Sequence, residues 1–276
     1  MNKRKNPVLL GLHARPKGWF KWMLASLPFV LIVAVYLTAA NIRHQENPQD
    51  KLLPTAEKIG KTINQVAFTE SKRTGKYQLW SDTWASLKRL FLGVLLASTV
   101  GLLIGLNLGL FPGLQALLSS FVTFISMIPP LSILPILFIV VGIEEIAKVT
   151  LIFIGIFPVI ARDTYLAVKA LPQEQITKAL TLGASQLDVV YRIILPQITP
   201  RLLDSVRLSL GAAWLFLIAA EAIASADGLG YRIFLVRRYL AMDVIIPYVL
   251  WITLLGFSFD WFLRQVNARL FPWYQR

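Results

Sequence analysis

Glu221 is the one acid well inside an apolar run, Leu208 to Ala226, and a carboxylate at membrane depth is costly enough to be functional by default. It either bonds a neighbouring helix for packing or serves a function at membrane depth. Direct contact with an anion is disfavoured by like charge unless the carboxyl is protonated or paired with a base. Other reactive side chains are scarce. The lack of cysteine excludes disulfides, thiolate catalysis and thiolate-held metal. His13 and His44 fall outside the apolar runs, so no histidine metal cluster forms at membrane depth. No glycine-rich phosphate loop ending in Gly-Lys-Ser/Thr occurs, and the clustered His, Asp or Glu of a membrane enzyme are missing.

The other informative pattern is mechanical. Leu171 to Pro200 is polar enough to stay in water and reads as two short helices. Pro172 suits a first helical turn, and Ile176, Ala179 and Leu180 share one face. Gly183 is placed to end the first helix in a left-handed conformation. Ser185 caps the next helix, with Asp188 completing a capping box. Leu187, Val190, Tyr191, Ile194 and Leu195 then form an apolar stripe that Pro196 stops. Periodicity alone reads this pair as a segment lying on lipid headgroups.

These residues must be positioned by helices that span a bilayer. The sequence is 56% hydrophobic and 16% charged, a balance foreign to a soluble domain. Its 28 basic residues and net charge of +13 lie between long apolar blocks, as helix-end anchors do, and form no basic stripe for nucleic acid. Trp22 to Ile42 is long enough for a retained span and follows a basic start; a cleaved signal ending near Thr38-Ala39-Ala40 is the alternative. Leu90 to Ile143 carries no charge and divides into two spans at Asn107 to Gly113. The second of these contains Pro129, Pro130 and Pro135, a break that either lines a cavity or is a structural kink. Val149 to Val168, with Arg162 and Asp163 near its cytoplasmic end, then Leu208 to Ala226 and Val244 to Phe259, complete about six spans.

The fold class is therefore an all-α, polytopic helical membrane protein. Basic residues in the N-terminal arm, the loop at 162–201 and the tail place both termini and that loop in the cytoplasm. Arg43, Lys51, Lys58, Lys61, Lys72, Arg73 and Lys76 run against this rule from the outer side. Arg232, Arg237 and Arg238, also outside, suit interfacial anchoring or attraction of a negatively charged ligand or partner. Glu144, Glu145 and Lys148 read as a solvated loop, and Gly93, Gly101 and Gly105 as sites of close helix packing.

The run Ala179-Leu-Thr-Leu-Gly183-Ala184, with nine residues between Gly183 and Ile193-Ile-Leu195-Pro196, resembles the "EAA" coupling loop of binding-protein-dependent ABC importer permeases. Thr177 and Lys178 stand where that family has Glu and its first Ala, which removes any salt bridge made by the acid. Ser86-Leu87-Lys-Arg89 with Gly93, Ala97, Gly101 and Gly105 extends the resemblance. So do Ile128-Pro129-Pro130, Gly142-Ile-Glu144-Glu-Ile-Ala-Lys148, Ala219-Ala220-Glu221, Gly228-Leu-Gly230-Tyr231, Asp260-Trp-Phe-Leu263-Arg264 and Pro272-Trp273. Together they resemble the nitrate, sulfonate, taurine and bicarbonate branch of these permeases.

The resemblance implies a division into a cytoplasmic arm (1–21), a first transmembrane helix (22–42), an extracytoplasmic segment (43–84), an importer transmembrane domain (85–264) and a cytoplasmic tail (265–276). It implies a bacterial inner-membrane subunit that is no enzyme and binds no cofactor itself, with ATP and Mg on a partner ATPase. It also implies an extracytoplasmic solute-binding protein and a second permease copy in a homodimer. Thr177, Lys178, Ala179, Leu182, Gly183, Ala184, Ile193, Leu195 and Pro196 would dock the ATPase, while Glu221, Pro129 and Pro130 would border the path. The solute would be small, such as nitrate, bicarbonate or an alkanesulfonate. Two rivals remain: a stand-alone secondary transporter, which usually shows repeated halves and midplane charges, and a polytopic membrane enzyme.

Overall fold

In hydrocarbon each backbone N–H and C=O needs an internal partner, so apolar runs of this length fold as helices. The computed structural model describes residues 18–47, 50–71 and 75–274. Residues 1–17, most of the arm read as cytoplasmic, lie outside the described residues, as do Lys72, Arg73 and the last two residues of the tail. Apart from a single antiparallel bridge between Glu70 and Tyr77, every regular element among the described residues is helical, which bears out the all-α expectation.

The elements run α1 (Gly18–Glu46), α2 (Ala56–Phe68), α3 (Gln78–Leu110), α4 (Pro112–Met127), α5 (Pro130–Val141), α6 (Glu145–Lys169), α7 (Gln173–Thr181), α8 (Gln186–Val189), a π turn (Val190–Ile194), α9 (Leu195–Ala224), α10 (Leu229–Arg237) and α11 (Met242–Leu270). Among the described residues five helices are long and apolar enough to cross a membrane, or six if α4 and α5, bent by 94°, make one span. That bend falls at Ile128 and Pro129, where prolines at 129 and 130 remove consecutive backbone donors.

The core forms where α3, α6 and α9 meet. Ile152, Ile156 and Ile160 of α6 pack with Ala213, Leu217 and Ala220 of α9. Along the α3 side small residues let the helices approach: a Cβ on Gly93 would stand 2.7 Å from Ile152 and one on Gly101 2.8 Å from Ile160. The close packing expected of these glycines is thus made within one subunit. By contrast α1 stands apart, with Ala40 its single buried residue. It is tied to the following segment where Tyr36 Oη donates to the Pro54 carbonyl at 2.7 Å and Arg43 pairs with Asp50 at 2.7 Å.

One reading of the sequence needs correction here. The second loop helix does not stop at Pro196: Gln186–Ala224 is one continuous helical run of 39 residues. The π turn explains why, since Leu195 N–H reaches back to the Val190 carbonyl and the widened turn makes room for the proline ring. The stretch 43–84 contains the amphipathic α2 and the first turns of α3. The α2 helix docks where Thr62 Oγ1 donates to Asp243 at 3.2 Å and Trp80 Nε1, from α3, donates to the Ala67 carbonyl at 3.1 Å.

Candidate functional site

An elbow joins α6 to α9. Its corner is built by local chemistry: Gly183 takes φ +88°, and Gly183 N–H and Ala184 N–H close onto the carbonyls of Leu180 and Ala179 at 3.0 and 3.1 Å. This pair of bonds is a Schellman closure, which needs the left-handed conformation that glycine adopts at little cost. Ser185 then caps α8 in a complete capping box with Asp188. Beneath the corner, Val189, Ile194 and Ile198 pack with Leu106, Ala167 and Val168 into a second apolar cluster that seats the elbow on the bundle. The apolar face is therefore rotated from the expected stripe: Leu187 and Tyr191 remain 68% and 66% exposed, and Leu182 at the tip is 80% exposed. Three large apolar side chains on a capped, anchored corner offer a docking surface.

At the opposite end of the bundle lies a buried charge network. Arg89, from α3, is 2% exposed and Glu221, from α9, has no exposed surface. Arg89 Nη1 donates to Glu221 Oε1 at 2.7 Å, and its Nε and Nη2 hold Glu145 at 2.6 and 2.7 Å. Nη2 also donates to Asp227 at 2.5 Å, and Lys148 Nζ reaches Glu145 at 3.0 Å. Glu221 accepts further bonds from Ser86 Oγ at 2.8 Å and Gly230 N–H at 2.8 Å. Beside it, Asp82 takes Arg232 Nε at 2.9 Å, Tyr248 Oη at 3.0 Å and Gly228 N–H at 3.2 Å. Buried charges persist where each finds a partner and its remaining lone pairs are filled, as here. Gly228 is required by space and by backbone together: its φ is +114°, and a Cβ would stand 2.5 Å from the Glu221 carboxylate.

The two features sit at opposite ends of the same helices. From Glu145 to Lys169 α6 spans 25 residues, about 36 Å at 1.5 Å per residue, and α9 returns from Pro196 to Glu221. The network ties α3, α6, α9 and the loop before α10 at one end, while the elbow crosses between α6 and α9 at the other.

Of the residues singled out in the loop, Thr177, Lys178, Leu182, Gly183 and Pro196 are exposed, whereas Ala179, Ala184, Ile193 and Leu195 are half-buried against the bundle. Pro129 and Pro130 stand at the α4–α5 bend, outside the Glu221 network. Of the residues read as a solvated loop, Glu144 and Glu145 are exposed, whereas Lys148 is 3% exposed, drawn in by the Glu145 carboxylate that also clamps Arg89. Arg232 is an ion-pair partner of Asp82 rather than a surface anchor, while Arg237 and Arg238 remain exposed. Sequence reasoning named Glu221 without Arg89. The available signal was that Arg89 is the last charge before the uncharged run from Leu90, and a lone intramembrane acid requires a base.

Comparison with known proteins gives a consistent set of likenesses. The family described as binding-protein-dependent transport system inner membrane component matches residues 89–272. The taurine transport system permease protein TauC of Escherichia coli (strain K12) is 35% identical over 269 residues, covering 95% of this chain and 96% of the relative. The bicarbonate transport system permease protein CmpB of Synechococcus elongatus is 27% identical over 266 residues, covering 92% and 94%. Among solved structures, a chain of the MetNI methionine ABC transporter in an inward-facing conformation superposes with a TM-score of 0.58 at 23% identity, over 71% of this chain and 99% of that one. At that identity the likeness concerns the fold.

Proposed function

This chain belongs to the family of binding-protein-dependent transport system inner membrane components, and from that membership we propose that it is the permease subunit through which an ABC importer passes a small anion. In this reading two copies of the chain enclose the path. A separate ATPase, carrying ATP and Mg, docks on the cytoplasmic elbow of loop 171–200, and a solute-binding protein delivers the solute at the outer end, near Arg89 and Glu221. Both termini then lie in the cytoplasm.

The observation that carries the reading is the elbow. Exposed Leu182, Leu187 and Tyr191 project from a corner fixed by Gly183 and the Ser185–Asp188 box, so a push at the tip moves α6 and α9 together instead of deforming a loop. The network at the far end supports the same reading, because it makes the two helices a single lever with α3. A solute with an anionic head group is supported by the relatives whose names specify taurine and bicarbonate transport, the first a zwitterion whose sulfonate is paired with an ammonium and the second an oxyanion.

The test is co-purification. The tagged chain, co-expressed with its ATP-binding subunit, should retain that ATPase, and Leu182→Asp with Leu187→Asp should release it. Equal retention by the double variant would remove the elbow as the docking site.

A further inference from the structure

Near the elbow end of the bundle, a cavity of about 210 Å³ lies between α4 and α6 and is lined by Ser119, Thr123 and Ser126 of α4 and by Arg162 and Tyr165 of α6. Arg162 lies seven residues before the end of α6, about 10 Å along a helix that crosses the membrane. It makes no ion pair or hydrogen bond among the described residues. The adjacent acid, Asp163, is committed to Arg201 at 3.1 Å. A cation at this depth normally finds a counter-charge or faces a water-filled cavity, and among the described residues no acid lines this cavity.

The other groups there are suited to the same ligand. Tyr165 Oη accepts a hydrogen bond from Gln115 Nε2 at 2.8 Å, so its own proton is free to be donated. Ser119 Oγ likewise makes no hydrogen bond among the described residues. Ser119, Thr123 and Ser126 follow one another at helical spacing on one side of α4, a helix with no buried residue. Thr123 Oγ1 and Ser126 Oγ donate back to the carbonyls of Ser119 and Thr123, so on this stripe Ser119 keeps its hydroxyl proton for the cavity that Arg162 lines.

We propose that Arg162, with Tyr165 and Ser119, forms an anion subsite on the translocation path that receives the sulfonate or carboxylate-like head of the solute. This rests on the importer reading above and names the residues that recognise its cargo. The planar guanidinium holds two oxygens of such a group at once, and the hydroxyl protons of Tyr165 and Ser119 meet the lone pairs that remain.

The test uses the full complex of permease, ATPase and binding protein in proteoliposomes, with radiolabelled taurine and bicarbonate as probes. Arg162→Gln should assemble with its ATPase in wild-type yield yet lower uptake at sub-saturating solute by about tenfold or more, the scale of one lost charge-assisted contact. Arg162→Lys should keep maximal rate and raise KM, since it retains the charge and loses the fork. Tyr165→Phe should shift KM in the same direction by less. Wild-type uptake by Arg162→Gln would overturn the subsite and leave the importer reading standing. A wild-type complex that carries a neutral or cationic solute and neither probe would overturn both the anion reading and the subsite.

Discussion

Arg89 Nη1 lies 2.7 Å from Glu221 Oε1, joining α3 to α9 across 132 residues of sequence in a setting with almost no exposed surface. Around this contact the same guanidinium holds Glu145 and Asp227, so one side chain gathers three carboxylates from three parts of the chain. Removing either partner strands the other in a low-dielectric site. Arg89→Gln and Glu221→Gln are each expected to destabilise the protein by about 3–5 kcal/mol, seen as earlier thermal aggregation of the detergent-purified complex. The double variant Arg89→Met with Glu221→Leu is expected to recover part of that loss. Additive losses would show that the two residues act independently.

Gly228 covers the Glu221 carboxylate with its backbone. Gly228→Ala places a methyl group 2.5 Å from that carboxylate and asks alanine to hold φ +114°. The expected cost is about 2 kcal/mol or more, from overpacking and backbone strain together. The same melt as above measures it, and an unchanged midpoint would mean that the loop from 225 to 228 yields freely.

At the elbow the strain is of another kind. A Cβ on Gly183 would meet nothing within 4 Å, so only the left-handed φ of +88° opposes a side chain there. Gly183→Ala should cost about 1–2 kcal/mol and Gly183→Val more, while Gly183→Asn, a residue that tolerates this conformation, should be the mildest. Uptake is expected to fall in the order Asn, Ala, Val, with membrane insertion intact in all three. Wild-type uptake in the valine variant would dismiss the corner as a mechanical element.

Loss of the Ser185–Asp188 box should loosen the same corner without altering its surface. Ser185→Ala is expected to cost about 1 kcal/mol. Adding Asp188→Ala should cost little more, because the two side chains serve one another. The readout is the number of ATP molecules hydrolysed per solute moved, which should rise in both variants to a similar extent.

What the sequence revealed and what it concealed divide by the range of the interactions. The corner at Gly183 and the cap at Ser185 were legible because each is settled within a few residues. The breaks at Phe111 and Pro129 were legible for the same reason. The Arg89 network was hidden because its partners stand 56 and 132 residues away and only helix packing brings them together. Pro196 misled because a π turn, which leaves no mark in hydrophobic pattern, carries the helix past it. Leu187 and Tyr191 of the expected stripe stay exposed while Ile194 is buried, because residues of α3 and α6 select the Val189–Ile194 face.

The chain contains no cysteine, so one placed at the elbow tip reports from a single site. With Leu182→Cys carrying a short photo-crosslinker in intact membranes, the expected product is a covalent adduct with the ATP-binding subunit whose yield changes when ATP is added. An adduct with phospholipid alone, or labelling of that cysteine by an impermeant thiol reagent added from outside, would contradict the elbow as the coupling element.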